Sequence, residues 1–172
     1  MIFNGDYQFK GEYAEKVNFL RDAFSGTNSL FNRILDIYIL APIVGFLYNR
    51  TAPISSGGMT ANVLYEAMSK ELETLWFNYR LIILLDKEHE PDFEKRVNKA
   101  FRYYGKEEAL PDESRYESFV RGGVELLYEK LIVPSRTEED YLKNLYDFME
   151  EFEERYGQAS DEIVDLCKLA RK

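Results

Sequence analysis

The stretch Ile34–Tyr48, ILDIYILAPIVGFLY, constrains the fold of this chain more than any other, because it is apolar on every side and interrupted only by Asp36 and Pro42. As a helix its fifteen residues rise about 22 Å, short of the roughly 30 Å hydrocarbon core of a bilayer, and an acid inside the run adds to the cost of a membrane span. The run therefore predicts a helix over about 32–49 that other helices of the same chain wrap, since an all-round apolar helix in water must be buried on all sides. Pro42 lacks the amide that would bond the carbonyl of Tyr38, so a kink is expected there. Ala41 and Gly45 are four residues apart on one face, where a neighbouring helix could approach closely.

The segments around this strut read as amphipathic helices. Over Gly11–Phe24 the positions Tyr13, Val17, Leu20 and Phe24 recur at steps of three and four, and a loop follows at Ser25–Ser29. Arg50–Met59 is rich in breakers and predicts a surface connector. Thr60 can cap a segment in which Val63, Met68, Leu72, Leu75, Tyr79 and Ile82 keep helical spacing to Leu85, as one long helix or two with a bend. Pro91 suits a first helical position, Phe93, Val97, Ala100 and Phe101 give a face, and Gly105 a stop. Pro111 and Asp112 open a helix through Tyr116, Phe119, Val124, Leu127 and Leu131. Gly122 and Gly123 inside it either break it or admit a close neighbour.

Two overlapping cap signals, Ser135-Arg-Thr-Glu138 and Thr137-Glu-Glu-Asp140, start a helix to Tyr156 with Gly157 as its stop. It is expected to bury Tyr141, Leu145, Phe148, Met149 and Phe152 and to present an acid face opposite. A short last helix is capped by Ser160. No segment alternates clearly enough to predict a strand. The expected fold is all-α, a single domain over 1–172, with six or seven helices packed around the strut.

A chain of 172 residues can bury a self-sufficient core, and its lone Cys167 leaves no internal disulfide and no multi-cysteine metal site. The start, MIFNGDYQFKGEY, lacks the basic-then-apolar pattern of a secretory signal, so a cytoplasmic setting is expected. The net charge of −9 is uneven: residues 1–105 hold 12 Lys/Arg against 13 Asp/Glu, residues 106–172 hold 10 against 18. Nucleic-acid affinity comes from neutralising phosphates with Lys and Arg, so direct binding of DNA or RNA is not expected.

Few residue groups suggest chemistry. Asp86-Lys-Glu-His-Glu90 sets carboxylates beside His89, the only histidine, and could hold a divalent metal, though a charged turn between helices has the same composition. Cys167, among Val164, Leu166 and Leu169, reads as a buried thiol of low reactivity. Ser55-Ser-Gly-Gly58 has the glycines of a phosphate cradle but not the Lys-Ser/Thr that follows one, and Arg121-Gly-Gly123 is a single unrepeated triplet. No cofactor is implied. Asp36, enclosed by the apolar run, calls for a cation, and Arg33 is the local candidate, with Arg80 and Arg121 farther along the chain.

The strut with its exit, Asp36-Ile-Tyr-Ile-Leu-Ala-Pro-Ile-Val-Gly-Phe-Leu-Tyr-Asn-Arg50 followed by Ala52-Pro53, resembles a segment of small bacterial proteins encoded with DNA phosphorothioation (dnd) systems. Those proteins present an Ala-rich helix ending in Gly, an aromatic, Arg and then Pro. The present chain departs from them in being acidic and in carrying Pro42 within the helix. The resemblance implies an accessory protein of a DNA-modification or phage-defence locus, with Arg50 as a contact.

These features point to a non-enzymatic adaptor acting through protein contacts, a role to which 13 Tyr residues are suited because aromatics are enriched at interface cores. The candidate partner-binding residues are Arg33, Asp36, Arg50, Asp147, Glu150 and Glu154. Self-association is a further expectation left open. Two alternatives come from other classes. Regular carboxylates along the acid face, Asp147, Glu150 and Glu154 among them, could imitate the phosphates of DNA and occupy a DNA-binding protein. A hydrolase could use metal held by Asp86, Glu88 and His89.

Overall fold

The computed structural model describes residues 2–23 and 30–169, with side chains to residue 157. Phe24, the loop expected at Ser25–Ser29 and the surroundings expected for Cys167 and Ser160 lie outside this description. Among the described residues there are seven α-helices and one two-stranded sheet, so the protein is predominantly all-α. No described helix is long and apolar enough to cross a membrane. The chain divides into two compact units, Met1–Tyr128 and Glu129–Lys172.

In the first unit β1 (Tyr7–Lys10) pairs antiparallel with β2 (Thr60–Val63), Tyr7 opposite Val63 and Lys10 opposite Thr60. This corrects the expectation of no strand. Each strand has four residues, too few to establish a period of two, and Thr60 and Val63 fit a helical spacing equally well. The strands do alternate: Phe9, Ala61 and Val63 are buried while Gln8, Thr60 and Asn62 are exposed. The helical stretch after Thr60 consequently starts later, as α3 (Tyr65–Ser69) and α4 (Leu72–Leu85), with the bend at Lys70–Glu71.

α1 (Glu12–Asp22) buries the expected Tyr13, Val17 and Leu20. α5 (Phe93–Phe101) begins two residues later than Pro91 suggests. Asp92 caps it, accepting the amide of Lys95 at 3.0 Å, and Gly105 follows its end with φ +82°. α6 (Leu110–Leu131) runs unbroken through both glycines.

α2 (Ile34–Leu47) is the strut. Leu35, Ile37, Tyr38, Ala41, Pro42, Val44 and Gly45 are buried, and it touches α1, α4 and β2. Only one flank reaches solvent, where Leu40 is 36% exposed. Its fourth neighbour is α6, and there the packing is backbone against backbone. A Cβ on Gly123 would overlap the carbonyl of Ala41, one on Gly45 would overlap the carbonyl of Phe119, and one on Gly122 would overlap the carbonyl of Arg50 just beyond α2. Three glycines thus set the spacing of the two central helices.

The connector 50–59 is irregular, as expected, but it is fastened to the core. The amide of Ala52 donates to Ser118 O at 3.0 Å, Arg121 Nε donates to Ala52 O at 3.0 Å, and the Tyr13 hydroxyl donates to Pro53 O at 2.9 Å.

In the second unit α7 runs over Glu138–Leu169, a single helix that passes through Gly157. The expected stop and the separate last helix are therefore corrected: glycine lowers helix propensity by about 1 kcal/mol but does not end a helix whose following residues still favour it. Of the two cap signals the second operates. Asp140 Oδ2 accepts the amides of Thr137 and Arg136 at 3.0 and 3.1 Å while Thr137 Oγ1 accepts the amide of Asp140 at 3.2 Å. These bonds, the Arg136 amide foremost, hold the Asp140 carboxyl below the usual carboxylate range. Ser135 instead donates to Leu131 O at 2.6 Å.

Helix propensity alone makes Ala about 1 kcal/mol better than Gly inside α6. The packing reverses that sign: Gly123→Ala is expected to destabilise by about 3 kcal/mol or more, the upper end for overpacking, because backbone rather than a side chain must move. Urea unfolding of Gly123→Ala beside Gly5→Ala, where a methyl meets open space, measures it; equal midpoints would contradict the packing described.

Candidate functional site

Three places in the first unit combine exposed or buried chemistry with defined geometry. The first is a groove along α4 and α5. α4 reads LETLWFNYRLIILL, with more apolar residues than one buried stripe can use. Leu75, Tyr79, Ile82 and Ile83 enter the core, and Asn78 anchors α4 to the strut by donating to Ile39 O at 3.0 Å. The surplus faces outward. Phe77 is 63% and Phe101 55% exposed, and with Trp76, Leu81 and Leu84 they line a groove of about 540 Å³, with Glu73 at its edge. The guanidinium of Arg80 lies 5.6 Å from the ring centres of both Trp76 and Phe101. No carboxylate stands within ion-pair distance of it among the described residues, whereas Arg33, Arg50 and Arg115 each have one. The excess of apolar residues in α4 was the available sequence signal, and counting only one helical stripe hides it.

The second place is a buried polar layer where α4, the following turn and α6 meet. Asp86, at the end of α4, accepts from Arg115 Nε at 3.0 Å and from the amide of His89 at 3.1 Å. Asp112, only 1% exposed, accepts from Lys99 at 3.1 Å and faces His89 Nε2 at 3.4 Å. Glu88 lies apart, accepting from Asn49 at 3.3 Å. Of the acids expected to share a metal, Asp86 is thus bonded to Arg115 and Glu88 to Asn49, and no group of three His, Cys, Asp or Glu among the described residues is arranged to hold one ion.

The third place is Glu117 on α6. The Tyr38 hydroxyl donates to its Oε1 at 3.1 Å, the Tyr7 hydroxyl faces the same carboxyl, and Oε2 is shielded from solvent without a hydrogen bond. Burial raises the pKa of Glu117, and the two tyrosines and Arg121 offset part of that rise. The same burial, with Glu117 nearby, pushes the Tyr7 and Tyr38 hydroxyls well above their ordinary value.

The residues singled out from sequence are dispersed. Arg33 and Asp36 do meet, at 2.6 Å, but as the cap of α2: Asp36 Oδ2 accepts the Arg33 amide at 2.9 Å, and Arg33 also reaches Glu71 at 3.4 Å. Asp36 occupies the first turn of the helix rather than its interior, which is why it stays partly exposed. Arg50 lies past the other end of α2, 3.6 Å from Glu125. Asp147, Glu150 and Glu154 are exposed on α7, but that face is not purely acidic. Leu142, Tyr146 and Met149 are exposed among them, so Met149, expected inside, is outside. No protein family, curated protein or solved structure matches the chain.

Because burial raises the pKa of Glu117, the folded chain keeps this proton to a higher pH than the unfolded chain. Wild-type stability should fall as pH climbs from the ordinary glutamate value through the folded one. Glu117→Gln, neutral throughout, lacks that loss. Thermal unfolding from about pH 4 to 8 should show the variant more stable than wild type at the upper end, with the gap closing toward the lower; a gap independent of pH would refute the assignment.

Proposed function

We propose that the protein is a non-enzymatic adaptor that holds an acidic amphipathic helix of a protein partner in the α4–α5 groove. The observation that carries this reading is the company Arg80 keeps: a guanidinium over the rings of half-buried Trp76 and exposed Phe101, lacking a carboxylate of its own chain within ion-pair distance among the described residues. Apolar walls with one central cation suit a helix that lays leucine-like side chains against Phe77, Leu81 and Phe101 and one carboxylate on Arg80. A basic or purely apolar helix would leave that cation uncompensated once water is excluded. The partner is expected among proteins that modify or process DNA, the setting implied by the resemblance of the strut to dnd-associated proteins.

A photo-crosslinking residue at position 77, used in the native host, should capture one partner through an amphipathic helix bearing Asp or Glu. With that helix as a peptide, Phe77→Ala is expected to weaken binding by about 2 kcal/mol and Arg80→Glu by at least as much. Charge reversal of the captured acid should restore affinity to Arg80→Glu. Binding indifferent to Arg80, or a crosslinked segment without acid, overturns the reading.

A further inference from the structure

Beside Glu117 lies a second concavity, on a different part of the unit from the α4–α5 groove. It has about 330 Å³, at the small end of ligand pockets, and opens to solvent where Asn4, Gly5 and Asp6 are exposed. Its walls are Phe3, Tyr7 and Tyr38, with Ile2 and the two carboxylates Asp6 and Glu117, and no Lys, Arg or His among the described residues lines it. We propose that this cavity binds a small organic cation of the alkylammonium class, held by the carboxylates of Asp6 and Glu117 between the aromatic side chains of Phe3, Tyr7 and Tyr38.

Each part of the lining favours that class over others. Asp6 and Glu117 repel phosphates and carboxylates. Asp6 is held in place by the amide of Tyr65, which donates to its Oδ1 at 2.7 Å and leaves Oδ2 for a ligand. Glu117, whose Oε1 accepts from the Tyr38 hydroxyl, lines the same cavity and adds its charge to that of Asp6. A hydrated metal ion needs several oxygen ligands, and these two acids belong to no metal-competent group among the described residues. Aromatic walls are poor substitutes for a metal's water shell, yet they suit the weakly hydrated, greasy surface of an alkylated ammonium.

The wall is also braced. Phe3 is buried with φ +65°, an uncommon conformation for a bulky residue, and its ring stands edge-on to Tyr38 and Tyr116 at centroid distances of 6.2 and 5.9 Å. Tyr7 packs at 4.4 Å on Tyr38. Lys10 and Arg121 line a separate concavity that shares Ile2, Tyr7 and Glu117. Arg121 has its Nε committed to Ala52 O, leaving Glu117 without an ion-pair partner in contact.

Proton NMR and calorimetric titration with choline and tetramethylammonium, beside the uncharged choline isostere 3,3-dimethylbutan-1-ol, test the proposal. The expected result is saturable binding of the two cations, upfield movement of their methyl signals under the aromatic rings, and no binding of the isostere. Glu117→Gln, which preserves shape, should weaken the cations about tenfold, and Asp6→Asn, at the exposed mouth, should weaken them less. Failure of both cations to bind at millimolar concentration, equal binding of the isostere, or unchanged affinity in a folded Glu117→Gln overturns it.

Discussion

The first unit depends on one contact, the meeting of α2 and α6 without side chains between them. Gly45, Gly122 and Gly123 let carbonyl groups of Phe119, Arg50 and Ala41 come closer than any Cβ would permit. Such a contact gains dispersion along two backbones at once and tolerates almost no error, because a peptide cannot rotate away as a side chain can. It also fixes everything α6 carries. With Gly122 and Gly123 pinned against the strut, Phe119 and Tyr116 are driven into the core one turn earlier, Glu117 comes to face Tyr38 of the strut itself, and Arg121 reaches the connector carbonyl at Ala52.

A consequence is that polar groups are carried inside with the helix. Asp112 and Glu117 enter because they share α6 with Tyr116, Val120 and Val124, and each is answered differently. Asp112 receives Lys99 and lies near His89, and loss of the Lys99 cation would leave a buried charge at a cost of several kcal/mol. Glu117 receives hydroxyl groups and the field of Arg121 rather than a cation in contact, and burial raises its pKa. Asp86 is satisfied by Arg115, whose guanidinium also lies 4.5 Å from the Phe119 ring centre. Asp86 thus anchors α6 through Arg115, whereas Lys87, Glu88 and His89 of the same turn are exposed.

Most of the helical framework was legible in the sequence because it rests on periodicities that a linear reading captures. The strut, the close-approach face of Ala41 and Gly45 and the pairing of Arg33 with Asp36 all follow from local spacing, whereas α5 ends at Phe101, ahead of the stop expected at Gly105. What was not legible is of two kinds. Short elements fail because four residues satisfy both a helical and an alternating pattern, so Thr60–Val63 pairs with Tyr7–Lys10 only through a contact 50 residues away in sequence. Sites fail because their members are distant: Phe3 and Tyr7, Tyr38, and Glu117 come from three separate stretches, and nothing local marks Glu117 among the acids of α6. The residues chosen for their conspicuous charge, Arg50, Asp147, Glu150 and Glu154, are conspicuous because they are exposed, a property that carries little information about where ligands converge.

The groove and the cavity demand opposite charges, yet one chain of hydrogen bonds joins their walls. Trp76, in the groove, donates its indole N–H to the Tyr104 hydroxyl at 3.1 Å, and that hydroxyl donates to the carbonyl of Ile2, in the cavity, at 2.8 Å. A phenol has a single proton to give, so the Tyr104 hydroxyl cannot swing to another acceptor without leaving Ile2 O unbonded. The Tyr104 ring is itself held against Trp76 and Tyr79, at 5.8 and 5.6 Å. A ligand that draws Ile2 inward therefore pulls on the same hydroxyl that orients Trp76, and a helix pressing on Trp76 pulls the other way. Whatever free energy one occupant spends on that shared bond, the other must feel with equal magnitude, since linkage between two binding events is reciprocal.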